Sequence, residues 1–598
     1  MSDIWIVFAI IAVTIVLFIL DRLPVIVVCV GCAMALYGTG VLSINQALAG
    51  FGDPATVFVA SLFVVAGALE KTGLTTWAGQ MLMRNVGTGR TRLMVMMMLL
   101  SAVMSAVLTL NGGAAALLPV VMLLAARLGR APSQLLMPMV CGGHAGSMLA
   151  LTGTPVNVLV LEASLEAGER GFRYFEFAYA GVFLAAGTIV LAILLGERLL
   201  PVRENRAHVP DYSRYAGTII SQFHLDENVH QLSVLPDSPL VGQRRAELDL
   251  SAHEGAVLLT VLADSTGAAR LGRIQAGDKV VVRATLEPLA ALAAELTLSL
   301  AEEAPFSAGL FTAATGLAEV MLPPRSPLVG QHLAPGMLTT SGNLVVLAVQ
   351  RDGVLLDEGT TLARGDVLLL QGTWWALDTY ITPAKALLVN APEQVRRQIV
   401  PIGRTAYISL AIMLAMVVAL ATGVMPAAAA GILAAGAIMV AGILTTQEVY
   451  RSIDWTTVIL IGAMMPLSDA ITDTGAAQML ADGLLSVVGS LGPYALLAGL
   501  FVLTAVLGQV ISNTATALII IPISVVAAQG MGVSPQPVLM SVAIASAAAL
   551  LTPISTPANL MIMEPGNYRF GDYWKFGLPI MIWFFAIAVF LVPLIWHF

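Results

Sequence analysis

The chain has 598 residues, enough for several domains, and 58 % are hydrophobic against 11 % charged, where a soluble domain carries roughly 25 % charged residues. That balance excludes an ordinary soluble enzyme and calls for a polytopic α-helical membrane protein. The net charge of −8 and pI of about 5.4 leave no basic footprint for nucleic acid, so none is expected as a partner.

The first apolar run, Ile4 to Leu20, has no basic segment before it, and Asp21-Arg22 rather than a small-residue cleavage site follows. A retained helix is expected there rather than a signal peptide. Further runs occur at 24–38, 56–69, 93–126, 134–161 and 177–195. Cys29 and Cys32 have C-x-x-C spacing, but no second ligand cluster accompanies them or Cys141, so all three read as buried thiols.

Arginines mark the loops. Arg84, Arg90 and Arg92 crowd one loop, and Arg127 and Arg130 close another. Arg198, Arg203 and Arg206 follow the sixth run, and Arg396, Arg397 and Arg404 precede the seventh. By the positive-inside rule the segment 201–400 is cytoplasmic, in a multi-pass protein of the plasma (inner) membrane with the lipid bilayer as its surroundings.

The run 93–126 contains 34 uncharged residues. As one helix it would span about 50 Å, beyond a hydrocarbon core of ~30 Å. Asn111-Gly112-Gly113 lies in its middle, so a crossing followed by a re-entrant hairpin near 109–126 is expected. Non-helical backbone at that depth must be buried in protein or line a cavity.

Residues 201 to about 400 differ in kind: charges become frequent and Val, Leu and Thr alternate in short strands between Gly-Asp turns. The sequence from Pro236 through Ser238-Pro239-Leu240-Val241-Gly242-Gln243 recurs 88 residues later around Ser326-Pro327-Leu328-Val329-Gly330-Gln331. Gly277-Asp278 recurs at the same shift as Gly365-Asp366. Two tandem α/β domains are expected, at 213–300 and 310–390. The S-P-L-x-G, strand, G-D pattern resembles the C-terminal domain of RCK-type potassium-conductance regulators. That resemblance implies small modules that bind a ligand, here unknown, or dimerise. No G-x-G-x-x-G follows a strand, so NAD is not expected.

Apolar runs resume at 406–422, 427–444, 456–468, 494–530, 535–563 and 577–596, and no Asp, Glu, Lys or Arg occurs from Gly483 to Met563. The second half copies the first. Asn513 lies 402 residues after Asn111, and the same shift carries Thr154-Pro155-Val156-Asn157 onto Thr556-Pro557-Ala558-Asn559. Two repeated membrane halves, 1–200 and 401–598, are therefore expected. They hold about eleven crossings and two hairpins, the second near 509–530, in the inverted-repeat manner of secondary transporters.

Each Thr-Pro pair reads as the start of a half-helix, with threonine as N-cap and proline at the first helical position. A break there frees backbone carbonyls for a hard cation and presents a positive helix end to an anion. Neither the breaks nor the hairpin tips contain a charged residue. An anion would be held by helix ends, hydroxyls and amides, with a co-bound cation balancing its charge.

Ser512-Asn513-Thr514-Ala515-Thr516, then Thr552-Pro553-Ile554-Ser555-Thr556-Pro557-Ala558-Asn559, then Gly566-Asn567-Tyr568-Arg569-Phe570-Gly571-Asp572-Tyr573 resemble the divalent anion:sodium symporter family. These are the dicarboxylate, citrate and sulfate permeases, and the branch with two RCK-type domains inserted mid-chain is most similar. The resemblance implies a homodimer with an elevator-type mechanism, sodium as coupling ion and no other cofactor. Carried over, Ser512, Asn513 and the backbone at Ser555 would hold one sodium, and Asn111 with the backbone at Gly153 another. Thr154, Pro155, Thr514, Thr556 and Pro557 would face the anion. The branch implies sulfate or a related inorganic oxyanion ahead of a dicarboxylate.

The first tip departs from that pattern: it reads Leu110-Asn111-Gly112, without hydroxyls. His144, 402 residues before Ser546, is a candidate proton-coupling group. Glu70, Lys71, Asp454, Asp469, Asp473 and Glu564 read as interfacial or paired helix-end groups. Two other functions compete with anion uptake: a regulated potassium transporter or channel, against which stands the missing T-V-G-Y-G filter, and a non-transporting anion sensor. An enzyme is not expected, because no nucleophile–base or metal-ligand cluster is present.

Overall fold

A computed structural model describes residues 3–20, 22–74, 77, 81, 89–203, 222–223, 229–243, 257–263, 272–284, 286–300, 315–333, 335, 337, 339, 344–356, 360–381, 386–388, 404–488 and 491–598. The chain divides into a helical unit, Met1–Val209 with Arg404–Phe598, and a second unit, Pro210–Gly403.

In the helical unit the first half forms α1 (Asp3–Leu20), α2 (Val25–Gly38), α3 (Ile44–Ala49), α4 (Pro54–Lys71), α5 (Arg90–Leu108), α6 (Leu110–Arg127), α7 (Leu136–Gly146), α8 (Pro155–Glu166) and α9 (Ala178–Leu199). The second half forms α10 (Arg404–Thr422), α11 (Ala427–Val440), α12 (Thr446–Ser452), α13 (Trp455–Asp473), α14 (Ala476–Val488), α15 (Pro493–Leu507), α16 (Asn513–Gly530), α17 (Pro535–Ala547), α18 (Pro557–Met561) and α19 (Phe570–Ala586). Moved by 402 residues, α1 to α8 fall in turn on α10 to α13 and α15 to α18. Repeated start signals explain repeated helices. Ser43 and Thr445 each close a capping box, and Thr154 and Thr556 each cap a helix that begins with proline.

Eight helices among the described residues are long and apolar enough to cross a membrane, with five shorter apolar ones besides. The 93–126 run breaks at Thr109, whose φ of 78° and ψ of 159° interrupt the helix. A Cβ on Gly113 would lie 3.0 Å from Ser105 Oγ, so α5 and α6 fold back on each other closely around that break. Residues 110–127 are a single helix with the tip at its start. In the second half the break falls between Leu507 and Asn513.

Arg90 and Arg92, read from the sequence as loop residues, instead begin α5. Arg84, Arg206, Arg396 and Arg397 lie outside the described residues. Lys71 pairs with Glu448 at 2.7 Å, and Asp454 caps α13 through the N–H groups of Thr456 and Thr457.

The second unit carries two sheets. The first, in order β2-β3-β1-β4, is built from β1 (Val229–Val234), β2 (Val257–Leu262), β3 (Lys279–Arg283) and β4 (Leu298–Leu300). The second uses β5 (Thr315–Met321), β7 (Leu344–Arg351), β8 (Val354–Leu355), β10 (Val367–Thr373) and β11 (Leu387–Leu388) in order β11-β5-β10-β7-β8, while β6 (His332–Leu333) pairs with β9 (Thr360–Thr361). At the 88-residue shift β1, β2, β3 and β4 meet β5, β7, β10 and β11, and the shared sheet order is the same. The Gly-Asp turns explain why. Gly277 and Gly365 adopt φ of 88° and 85°, and Asp278 and Asp366 accept from the N–H of Gln275 and Ala363. Leu259 and Val281 of the first sheet share one core with Leu317, Val345 and Leu369 of the second.

Candidate functional site

Two kinds of interruption meet in the helical unit. One kind is the tips, at Thr109 and at Gly508–Ser512. The other is the breaks, residues 147–154 between α7 and α8 and residues 548–556 between α17 and α18. Nothing ionisable lies in any of the four.

Each break is closed by an asparagine one turn into the following helix. Asn157 Nδ2 donates to Ser147 O at 3.0 Å and Ala150 O at 2.9 Å. Asn559 Nδ2 donates to Ala549 O at 2.9 Å and Thr552 O at 3.0 Å, the same atoms 402 residues on. These carbonyls would otherwise be orphaned by the helix end, and the amide satisfies two at once. Gly153 is required where it stands, because a Cβ would sit 2.1 Å from Ser147 O. Ser555 Oγ donates within its own break, to Ala549 O and Thr552 O. The caps hold as expected: Thr154 Oγ1 accepts from Val156 N–H at 3.4 Å and Thr556 Oγ1 from Asn559 N–H at 3.3 Å.

The halves exchange contacts. Asn111 of the first tip accepts from the N–H of Ala558, beside Thr556 and Pro557 of the second break, at 3.2 Å. Reciprocally, α16 packs against α8. Gln509 ties the second tip to the second break. Its side chain accepts from Leu551 N–H at 2.9 Å and donates to Ala548 O at 3.3 Å, while its carbonyl accepts from Thr552 Oγ1. Thr152 Oγ1 donates to Ala106 O at 2.9 Å, fastening the first break to α5. His144, wholly buried, faces Asn559 and Ala547 across the halves.

Ser512 is exposed and caps α16 through Ala515 N–H, and Thr514, the second residue of that helix, is half-buried. Asn513 Oδ1 is buried with no hydrogen-bond partner among the described residues, as are Thr516 Oγ1 and Ser105 Oγ. Buried oxygens are ordinarily satisfied, and these three lie at or beside the tips. Neutral oxygens of this kind, with backbone carbonyls, are what a hard monovalent cation takes as ligands. Among the described residues no hydrogen bond joins Asn111 to Gly153, or Asn513 to Ser555, the pairs expected to share a sodium.

Sequence reasoning aligned Asn157 and Asn559 without giving them a role, and it passed over Gln509. The asparagines' fixed shift was a usable signal. For Gln509 the only hint was an amide in an otherwise apolar run. A cavity of about 430 Å³ borders the second tip, but Gln509 is the one polar side chain among its walls, which include Phe501, Val506, Leu551 and Ile582. It is no place for an anion.

The sequence profile described as "CitMHS: Citrate transporter" matches residues 15–544 and 494–598. The chain is 31 % identical to the uncharacterized transporter YfbS of Escherichia coli K12, covering 100 % of this chain and 99 % of that one. With the uncharacterized transporter sll0640 of Synechocystis the identity is 26 %, over 98 % of this chain and 96 % of the other. Sodium/sulfate cotransporter 2 of Chlamydomonas reinhardtii is 26 % identical over 46 % of this chain and 32 % of its own length.

Proposed function

The chain belongs to the citrate transporter family, a family of multi-pass membrane transporters and not of enzymes, and on that premise we propose that it imports a small divalent anion coupled to a cation. Sulfate stands first among the substrates, since a cotransporter named for sodium and sulfate is among its relatives, and a dicarboxylate stands second. Sodium is the coupling ion on the same ground, with His144 offering a proton route beside it.

One observation carries this reading. Uncharged tips and breaks from both halves are joined by hydrogen bonds and helix packing, and beside them lie buried oxygens without partners among the described residues, Asn513 Oδ1 foremost. Asn111, Gly153, Ser512, Asn513 and Ser555 are the proposed cation ligands. Thr154, Pro155, Thr514, Thr556 and Pro557 are the proposed anion contacts, with the positive starts of α8 and α18 adding to their pull. The tips and breaks would travel together past a scaffold in a homodimer of the inner membrane. The segment 201–400 would lie on the cytoplasmic side, as two RCK-type C-terminal domains that sense an unidentified ligand.

Counterflow in proteoliposomes tests the proposal, with sulfate, thiosulfate, succinate and citrate supplied in turn, with and without sodium. Sodium-stimulated exchange of sulfate is the expected result. Potassium flux without anion exchange, or anion binding without exchange, would replace the reading with a channel or a sensor.

A further inference from the structure

Beyond Asn559 the two membrane halves continue to match, but at a shift of 396 residues: Arg173, Glu176 and Gly181 fall on Arg569, Asp572 and Gly577. These residues occupy equivalent places. The N–H of Arg173 and that of Arg569 each donate to the acid three residues on, at 2.7 Å. A Cβ on Gly181 would meet Met148 O at 2.1 Å, and one on Gly577 would meet Leu550 O at 2.2 Å. Two buried aromatic positions differ in chemistry: Phe172 and Phe177 of the first half stand where the second has Tyr568 and Tyr573.

The acids also differ in what neutralises them. Both are buried and need a partner. In the first half Arg170 of the same loop supplies it, donating to Glu176 through both terminal nitrogens. In the second half the partner comes from a distant part of the chain. Arg203 Nη1 and Nη2 donate to the two Asp572 oxygens at 2.7 and 3.3 Å, and Nη1 also reaches Asn567 O at 2.7 Å. Arg203 follows α9 on the way to the second unit, which begins at Pro210. Its segment is held at Ser133 too, whose Oγ donates to Pro201 O at 2.7 Å and accepts from Arg203 N–H at 3.0 Å. Tyr568 donates to Ser133 O and accepts from the N–H of Met137 at the start of α7. Tyr573, beside Asp572, donates to Asn559 O at 2.7 Å, and the Asn559 amide is what closes the second break.

We infer that residues 201–203, the root of the second unit, position the second break through Arg203, Asp572 and Tyr573, and that the second unit acts through this joint on the second break rather than the first. The turn does not itself require the contact, since Glu176 finds its arginine locally. Nor does fastening a break require it. The first break is held within its own half, where Thr152 Oγ1 meets Tyr174 Oη at 2.7 Å and Leu151 N–H donates to Tyr174 O at 3.0 Å. The second half adds a path of hydrogen bonds, with one peptide link in it, from the exit segment to the carbonyls of Ala549 and Thr552. An arginine fork on a carboxylate fixes direction as well as position. The other end of the second unit leads into α10, which packs on α11 and α4, so the 201–203 end is the one wired to a break.

The bearing on transport rests on the proposed function; the positioning does not. Hydrogen exchange of the full-length protein in lipid nanodiscs tests it, read at residues 548–562 and, as internal control, at 147–160. Tyr573→Phe, which gives the second half the residue of the first, and Arg203→Gln should each speed exchange at 548–562 by about 5- to 30-fold, as the loss of one such bond implies. Exchange at 147–160 should not move. Reversing the pair, Arg203→Asp with Asp572→Arg, should restore most of the protection that either single change removes, and Tyr573→Phe keeps the test open if the reversed pair does not fold. Unchanged exchange at 548–562, or an equal rise in both segments, overturns the inference. So does a folded reversed pair without rescue, which would assign the effect to lost packing. A single cut at a protease site placed within 206–209 tests the route: exchange at 548–562 should respond in the wild type and not in Arg203→Gln. A cut without effect rejects control by the second unit. Exchange that behaves as expected in a protein showing no anion counterflow leaves the joint standing while the transport reading falls.

Discussion

Asn111 and Asn513 occupy matching places with different surroundings. Asn111 Oδ1 is satisfied by Ala558 N–H, whereas Asn513 Oδ1 is buried without a hydrogen-bond partner among the described residues. On the proposed reading the second tip is accordingly where a cation would gain most. Asn513→Ala should weaken coupled uptake by about 10- to 100-fold, the size of one hydrogen-bond-class contact to a charge, with unchanged yield of folded protein by size-exclusion profile. Wild-type rates in that variant would remove Asn513 from the site. Gly153→Ala should be more severe. Its Cβ would meet main-chain oxygen at 2.1 Å, so the first break must move, and anion binding by calorimetry should be lost. At this scale the sequence revealed the tips and caps, because Asn, Thr and Pro stand out in an apolar run. It could not reveal that Asn157 and Asn559 spend their amides on holding the breaks shut. That depends on which carbonyls the turn turns inward.

Among the elements, Thr109 is the informative one. Its φ of 78° with ψ of 159° lies in a region that is nearly glycine-only and costs other residues about 1–3 kcal/mol. Thr109→Gly should therefore raise the thermal transition, offset by about 0.5–1 kcal/mol of extra chain entropy. If the strained tip is part of the working cycle, the same change should slow exchange. A lower transition temperature would show that the hydroxyl or methyl of Thr109 matters more than the strain. The need for two helices in 93–126 was legible from length alone. That residues 110–127 would run unbroken was not, since Gly112-Gly113 argues against helix until the close approach of Gly113 to Ser105 is seen. The exchange of tips and breaks between halves was equally hidden, because periodicity reports which residues are apolar and not which neighbour they meet.

At the scale of the molecule, the two shifts, 402 and 88 residues, were readable from a few motifs and extend across whole sets of helices and strands. The second unit is expected to tune transport rather than perform it. Replacing residues 206–395 with a short linker should leave part of the uptake, and complete loss in a folded variant would count against a purely regulatory role. That unit also has an acid-sensitive point. Burial opposes the Asp366 carboxylate, but bonds from Arg351 and from Ala363 N–H outweigh it and hold its pKa below the usual range. A depressed carboxylate stabilises the fold above its unfolded pKa of about 3.9 and ceases to do so as pH falls through the lower folded value. Calorimetry between about pH 6 and pH 3 should therefore show a steeper loss in the wild type than in Asp366→Asn. Finally, Asn111 meets Ala558 and His144 meets Asn559, while α16 packs on α8, so neither half's tips and breaks are built without the other. Expressed as separate polypeptides, 1–200 and 401–598 should be inert singly and regain uptake only when co-produced: complementation, as with the fragments of a split enzyme.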